Sequence, residues 1–179
     1  MKTPTHAVVG FVTAKLFGFG RGQTIACVLG ACLADLPLML AYVYFLMSCF
    51  WRHGHYDAAY IKALMDGIYF EQSWLLVAHN MFHSPVSIGY LSLICLICCV
   101  GRSAVRRILL AYLAGSFSHS ILDIISHMGD GPLLLWPLDD ELRMMGLFSH
   151  WFMGMPLLVE GVAVILLFGF YVGSRVARV

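Results

Sequence analysis

The chain has 179 residues, of which 60% are hydrophobic and 12% charged, and its mean hydropathy is +0.83. A soluble domain carries about 25% charged residues, and one of this size has too little interior to bury so much apolar surface. Length and composition therefore predict a single integral membrane domain over residues 1–179. The net charge of +1 comes without the clustered Lys and Arg that nucleic-acid binding requires, so no nucleic-acid partner is expected.

In chain order, the first apolar stretch, 5–20, carries Lys15 and is interpreted as a short or partly inserted helix. Residues 51–72 are expected to form an interfacial loop with an amphipathic helix, and residues 129–146 an acidic connection with Gly and Pro turns. The fold class is all-α, a polytopic membrane bundle of four to five membrane helices. Four stretches reach the roughly 20 residues that span a bilayer, approximately 23–50, 73–100, 104–128 and 147–173.

The distribution of Lys and Arg predicts the orientation, because cytoplasmic loops are enriched in both. With the 101–107 loop inside, seven basic residues lie inside and four outside. This orientation brings most of the intramembrane His and Asp residues to the outer half of the bundle. The inner set is Lys15, Arg21, Arg102, Arg106, Arg107, Arg175 and Arg178, and the outer set is Lys2, Arg52, Lys62 and Arg143.

Ionisable residues inside a membrane cost about 2.5–3.5 kcal/mol each, so they are rare unless they are paired or functional. Several occur here within or at the ends of apolar segments, and together they indicate a site. They are Asp35, His79, His83, His119, Asp123, His127, His150 and Glu160, and His6 joins them if 5–20 is a helix.

The segment GSFSHSILDIISHMGDG places three polar residues on one helical stripe, each four positions after the last. His119 and Asp123 lie about 6 Å apart along the axis, close enough to hold one ion, whereas His127 is about 12 Å from His119. Asp123 between them is suited to bridge two ions. The spacing therefore predicts metal ligation.

A second pair with the same spacing, His79 and His83, lies in HNMFHS. Asn80 stands where the H-E-x-x-H motif has its general base, so a zincin-type protease is not expected. Imidazole nitrogens with carboxylate oxygens favour zinc, with iron or manganese as alternatives, over calcium or magnesium. The predicted cofactor is one or two divalent ions.

Structural interpretations remain open for each of these residues. His119 and Asp123 can form a hydrogen-bonded pair that joins helices, and Asp35 can satisfy backbone donors freed by Pro37. His6 can be a helix cap, and Glu160 can hydrogen-bond across the bundle. In LICLICCVG, Cys95, Cys98 and Cys99 are interpreted as small apolar filler, with redox or metal chemistry as the alternative.

At these residues the sequence resembles the bacterial YdjM-type family, whose members are classed as inner-membrane, metal-dependent hydrolases. The matching elements occur in order from residue 5 to about 138. They are THAVVG with His6, ACLADLP with Asp35, HNMFHSP with His79 and His83, and GSFSHSILDIISHMGDGPLLLWPL with His119 and Asp123. The last is the most specific. Departures from the family pattern are the single acid at Asp35, the missing Arg-Gly and shorter spacing in HNMFHS, Ser126 in place of Thr, and one added residue before PLLLWP.

That family is in turn distantly similar to zinc-dependent phospholipases C. The resemblance implies that His119 and Asp123 are the central, catalytic ligands. It also implies that Asp35 and either His83 or His79 complete one ion, and that His6 shares a second through Asp123. Phosphoester hydrolysis at the bacterial inner membrane follows from the resemblance and not from the spacing.

The predicted function is a membrane-embedded hydrolase in which one or two zinc-like ions activate water and polarise a phosphoryl group. A site within the bilayer favours a lipid or lipid-linked phosphoester as substrate, with the apolar PLLLWPL loop at its entrance. His127, His150 and Glu160 are further candidate ligands. The alternatives are a metal-ion or proton transporter and a non-enzymatic structural or regulatory membrane protein.

Overall fold

The computed structural model describes residues 3–55, 57–71, 73–126 and 128–145, with single positions 161, 162, 165, 169 and 173 beyond them. Within these residues the chain forms seven α-helices followed by a small β-hairpin. The helices are α1 (Thr3–Leu16), α2 (Arg21–Leu33), α3 (Leu36–His53), α4 (Ala58–Glu71), α5 (Ser73–His83), α6 (Pro85–Cys98) and α7 (Ser103–Ser126), and the strands are β1 (Met128–Leu133) and β2 (Arg143–Met145).

Helices α1, α2 and α7 pack closely through small side chains. A Cβ atom added at Gly115 of α7 would overlap the backbone of Cys27 in α2, and one added at Gly30 would overlap the backbone of Tyr112. Small residues allow helix backbones to approach in this way, which is the main source of packing energy between apolar helices in lipid. The buried cluster at this contact consists of Ala14, Ala26, Cys27 and Ala111.

Two of the predicted continuous helices are broken, which corrects the prediction for 23–50 and 73–100. Helices α2 and α3 meet at a 50° bend, and α5 and α6 meet at a 71° bend. Pro37 follows the first break and Pro85 the second, each in the first turn of the next helix. Pro37 lacks the N–H that would bond to the carbonyl oxygen of Leu33, the last residue of α2. Pro85 disfavours helical geometry in Ser84, whose backbone is extended, and α5 ends before it. His83 is therefore the last residue of α5, at a bend, and not near the outer end of a long helix.

The helical character of the predicted bundle is confirmed, but its number of membrane helices is not. Among the described residues, α7 alone is long and apolar enough to cross a bilayer, and up to three spans result if each bent pair counts as one. The segment 147–173 lies outside the described residues, apart from the single positions given above. Helix α1 is short, as expected for 5–20, and α4 is the helix expected within 51–72.

A small hairpin forms in the connection after α7, where turns were expected, and the fold class of the described residues stays all-α. Strands β1 and β2 pair antiparallel, with Met128 opposite Met145 and Leu133 opposite Arg143, and an irregular register between these two pairs. The acidic turn before β2 is closed by Asp139, which accepts the N–H groups of Glu141 and Leu142. These two donors hold the pKa of the exposed Asp139 carboxyl below its ordinary value.

Candidate metal centre

Four side chains from three parts of the fold converge at the two helix breaks. Asp35 lies at the break between α2 and α3, and His83 ends α5 at the other break. His119 and Asp123 lie one turn apart on α7. One possible ligand atom from each of the four lies within 4.8 Å of all the others, so this group could hold a metal ion.

The shortest contacts of the cluster run between imidazole Nε2 atoms and carboxylate oxygens. His119 Nε2 is 3.0 Å from Asp123 Oδ2, and His83 Nε2 is 3.1 Å from Asp35 Oδ1. The crossed pairs are longer, at 3.7 Å from His83 to Asp123 and 3.5 Å from His119 to Asp35. All four distances are short enough for one cation to lie among the donors.

The backbone determines which nitrogen of each imidazole faces the cluster. His119 Nδ1 lies 2.7 Å from the carbonyl oxygen of Ala31, and His83 Nδ1 lies 2.9 Å from that of His79. A carbonyl oxygen only accepts, so each Nδ1 carries the proton and each neutral ring presents an Nε2 lone pair. A hydrogen bond from the second nitrogen to a backbone carbonyl is the usual arrangement of a metal-bound histidine.

The two Nε2 atoms face each other at 2.9 Å. Two lone pairs at this distance repel unless a proton or a cation lies between them. The cluster also contains two carboxylates, so with neutral imidazoles its formal charge is −2. Burial of uncompensated charge is costly, and one divalent cation would neutralise both carboxylates. The donor set of two nitrogens and two carboxylates therefore fits a zinc-like ion.

Burial differs among the four ligand candidates in a way that gives the cluster an open side. The side chains of His83 and His119 are fully buried, and that of Asp123 is 7% exposed. The Asp35 side chain is 21% exposed. Although Asp35 precedes α3, its side chain makes no capping hydrogen bond. The Asp35 side chain therefore does not cap α3 and instead lies against the ring of His83.

His6 lies on the other side of Asp123. Its ring stacks on that of His119 with centroids 3.7 Å apart, and its Nε2 is 3.4 Å from Asp123 Oδ1. The residue is fully buried, and neither ring nitrogen has a hydrogen-bond partner in the described part of the chain. Because Oδ2 of Asp123 faces His119 and Oδ1 faces His6, this carboxylate lies between two sets of nitrogen donors. The interpretation of His6 as a helix cap does not account for an imidazole buried there.

His79 supports the cluster without joining the group of four. Its ring stacks on that of His83 at 3.8 Å between centroids, and its carbonyl oxygen accepts a hydrogen bond from the His83 Nδ1–H group. Of the two histidines in HNMFHS, His83 is the one that presents Nε2 to both carboxylates. The other candidate ligands predicted from the sequence, His127, His150 and Glu160, lie outside the described residues.

Several groups at the site were not identified from the sequence. The carbonyl oxygens of Ala31 and His79 orient the two ligand rings. Every residue has a backbone carbonyl group, so the residue types do not show which of these groups act as acceptors. Ser120 donates its hydroxyl to the carbonyl oxygen of His83. Its position directly after His119 was the one available signal. No protein-family model, curated protein or solved structure matches this chain.

Proposed function

We propose that this protein is a membrane-embedded, metal-dependent hydrolase that cleaves a phosphoester in a lipid or lipid-linked substrate. The observation that carries the proposal is the convergence of the His83 and His119 Nε2 atoms, 2.9 Å apart, on the carboxylates of Asp35 and Asp123. The resemblance of the HNMFHSP and GSFSHSILDIISHMGDGPLLLWPL segments to the YdjM-type family supports the same activity and a bacterial inner-membrane location.

Within this proposal the four residues Asp35, His83, His119 and Asp123 hold one zinc-like ion, with iron or manganese as alternatives. When bound, a divalent ion would lower the pKa of its water ligand and would polarise the phosphoryl oxygen as a Lewis acid. The chain's own task is orientation, because the carbonyl oxygens of Ala31 and His79 fix both imidazoles. Asp35, the most exposed of the four, lies where water and substrate reach the cluster.

The position of the cluster along the helices supports an amphiphilic substrate. Counting about 1.5 Å per residue, His119 lies about 24 Å from the start of α7, and Asp35 about 21 Å from the start of α2. Both helices begin beside the basic residues Arg21, Arg102 and Arg106. If that end is cytoplasmic, the cluster lies in the outer half of a hydrocarbon core about 30 Å thick.

An apolar groove along the N-terminal half of α3 supports the same substrate class. It begins at Leu36, the residue after Asp35, and is lined further along by Leu40, Tyr44 and Trp74. Its volume is about 530 Å³, within the range of about 300–1,000 Å³ that ligand pockets usually have. The apolar part of an amphiphile can thus lie next to the ion site.

The hydrolase proposal predicts release of a phosphorylated headgroup or of phosphate from lipid substrates by the purified protein. The assay compares a phosphodiester phospholipid with the phosphomonoester of a long-chain alcohol, in mixed micelles containing zinc. Asp123→Asn is expected to reduce turnover by at least about 100-fold, since even residues outside the ligand sphere cost 10–100-fold. Ile121→Ala, which changes an exposed residue on the same helix, is expected to retain it. Zinc flux into proteoliposomes without any hydrolysis would contradict the proposal.

A second candidate function, transport of a metal ion or proton, is favoured by one observation. Both bent helix pairs break at the cluster, at Asp35 and at Ser84. Transporters commonly place their ion sites at such broken helices. The buried ionisable residues of the described helices nevertheless gather in one cluster, whereas a transport pathway needs ligands through the depth of the bilayer.

The role assigned to His6 predicts a different outcome from loss of a primary ligand. We propose that His6 and the Oδ1 atom of Asp123 contribute to a second ion. His6→Ala is therefore expected to leave about one ion equivalent bound, because the group of four remains complete. The measurement is metal content by mass spectrometry after gel filtration in detergent. Loss of all metal in His6→Ala would place His6 in the primary site instead.

A further inference from the structure

Two buried side chains join the break between α5 and α6 to the apolar loop 133–136. The Asn80 side chain accepts the N–H of Leu133 at 2.9 Å and donates to the carbonyl oxygen of Leu76 at 2.8 Å. The Ser84 hydroxyl lies 3.0 Å from the carbonyl oxygen of Leu134 and 2.7 Å from that of Trp136. Asn80 and Ser84 are both fully buried. The loop is thus held by two side chains within five consecutive residues.

The same five residues present a ligand of the proposed ion. His83 lies between Asn80 and Ser84 in sequence, and its carbonyl oxygen accepts the hydroxyl of Ser120 from α7. Ser120 follows His119 directly. The backbone that orients the His83 and His119 rings is therefore the backbone to which the loop is anchored, and a displacement of either ring would be transmitted to the loop.

We infer that Asn80 and Ser84 are positioning residues that couple the loop 133–136 to ion binding at His83 and His119. The inference rests on the metal site of the proposed function. With an ion bound, the Nε2 atoms of His83 and His119 would be held in place together with the end of α5, and the hydrogen bonds of Asn80 and Ser84 connect that end to the loop. Coupling between two sites is reciprocal, so an anchored loop strengthens ion binding by the same factor.

The test measures amide hydrogen exchange of the loop in the full chain in detergent, after chelation and again with zinc alone as the probe. In the wild type, zinc is expected to slow exchange at 133–136 by at least about 5-fold, the lower end of ordinary allosteric coupling. In Asn80→Ala and Ser84→Ala the loop is expected to exchange rapidly with and without zinc. By reciprocity, their zinc dissociation constants are expected to rise by a similar factor.

Ser92→Ala is the matched control, because Ser92 donates only to the carbonyl oxygen of Ile88 within α6. Ser92→Ala is expected to behave as the wild type. If Asn80→Ala does not fold, the result for Ser84→Ala alone decides whether the loop is coupled to zinc binding. A purely structural role would speed exchange equally in both states while zinc affinity stays unchanged. That result overturns the inference, as does zinc binding in the wild type without any slowing. Zinc binding without hydrolysis leaves the inference intact, whereas a wild type that binds no zinc overturns it together with the metal site.

Discussion

His119→Ala and Asp123→Ala are each expected to remove the bound ion from a wild-type protein that carries about one to two equivalents of zinc, iron or manganese. His119 Nε2 and Asp123 Oδ2 lie 3.0 Å apart, so each substitution removes a donor from the cluster itself. His119→Ala leaves one nitrogen donor of the original two, and Asp123→Ala leaves one carboxylate of the two that neutralise the ion. Elemental analysis of protein purified in detergent without chelators measures the outcome directly.

Ile121 provides the control for this experiment because it lies between the two candidates on α7 and is exposed. Ile121→Ala is expected to retain the ion, which separates loss of a ligand from general damage to α7. A wild type free of metal would favour the non-enzymatic interpretation, in which the two facing Nε2 atoms share a proton. Loss of His119 would then cost stability, about 1–3 kcal/mol for a buried hydrogen-bonding group left without a partner.

The candidate site could be predicted from the sequence to the extent that ionisable residues in an apolar helix cost free energy and are therefore noticeable. His119 and Asp123 on one helical stripe are visible from spacing alone, and the structure places them 3.0 Å apart. Spacing does not show which other residues join them, because tertiary packing brings His83 and Asp35 close; Asp35 and either His83 or His79 were implied only by the family resemblance. The choice between His79 and His83 depended on the direction of the His83 ring, which the His79 carbonyl oxygen determines.

The fold could be predicted less completely. Hydropathy identifies the length of an apolar segment but not its bends, so it predicts one helix over 73–100. In the structure Ser84, the residue before Pro85, has an extended backbone and interrupts the helix. Proline within a membrane helix often leaves it continuous, and local sequence alone does not decide which outcome occurs. The hairpin after α7 was taken for turns because Gly and Pro residues surround its first strand. Its pairing with β2 spans the whole acidic connection, which local patterns do not reveal.

The contact between α2 and α7 links the packing of the bundle to the site. His119 reaches the Ala31 carbonyl oxygen only because the two helices lie close together, and Gly115 makes that approach possible. The Ser116 hydroxyl adds a hydrogen bond to the carbonyl oxygen of Gly30 at 3.2 Å. The spacing of the two backbones therefore determines the orientation of a ligand ring.

Gly115→Ala is accordingly expected to destabilise the protein and to weaken ion binding together. The added Cβ would overlap the Cys27 carbonyl group and lie 3.0 Å from the backbone nitrogen of Ala31, so α2 and α7 must separate. Overpacking costs typically 1–3 kcal/mol, and since the obstacle is backbone we expect about 3 kcal/mol. For a chain of this length that corresponds to a fall in Tm of roughly 6–12 °C, measured by thermal unfolding in detergent.

Gly89→Ala is the matched control, because Gly89 lies in α6 and no residue that the structure describes comes within 4 Å of a Cβ atom added there. Alanine is a better helix former than glycine by about 1 kcal/mol, so the Tm of this variant is expected to stay level or rise. The two substitutions add the same methyl group to two helices, and they differ in what that methyl group meets. Equal Tm values for both variants would mean that α2 and α7 do not depend on close contact at Gly115. An unchanged zinc affinity in a destabilised Gly115→Ala would show instead that the His119 ring keeps its orientation when the helices move apart.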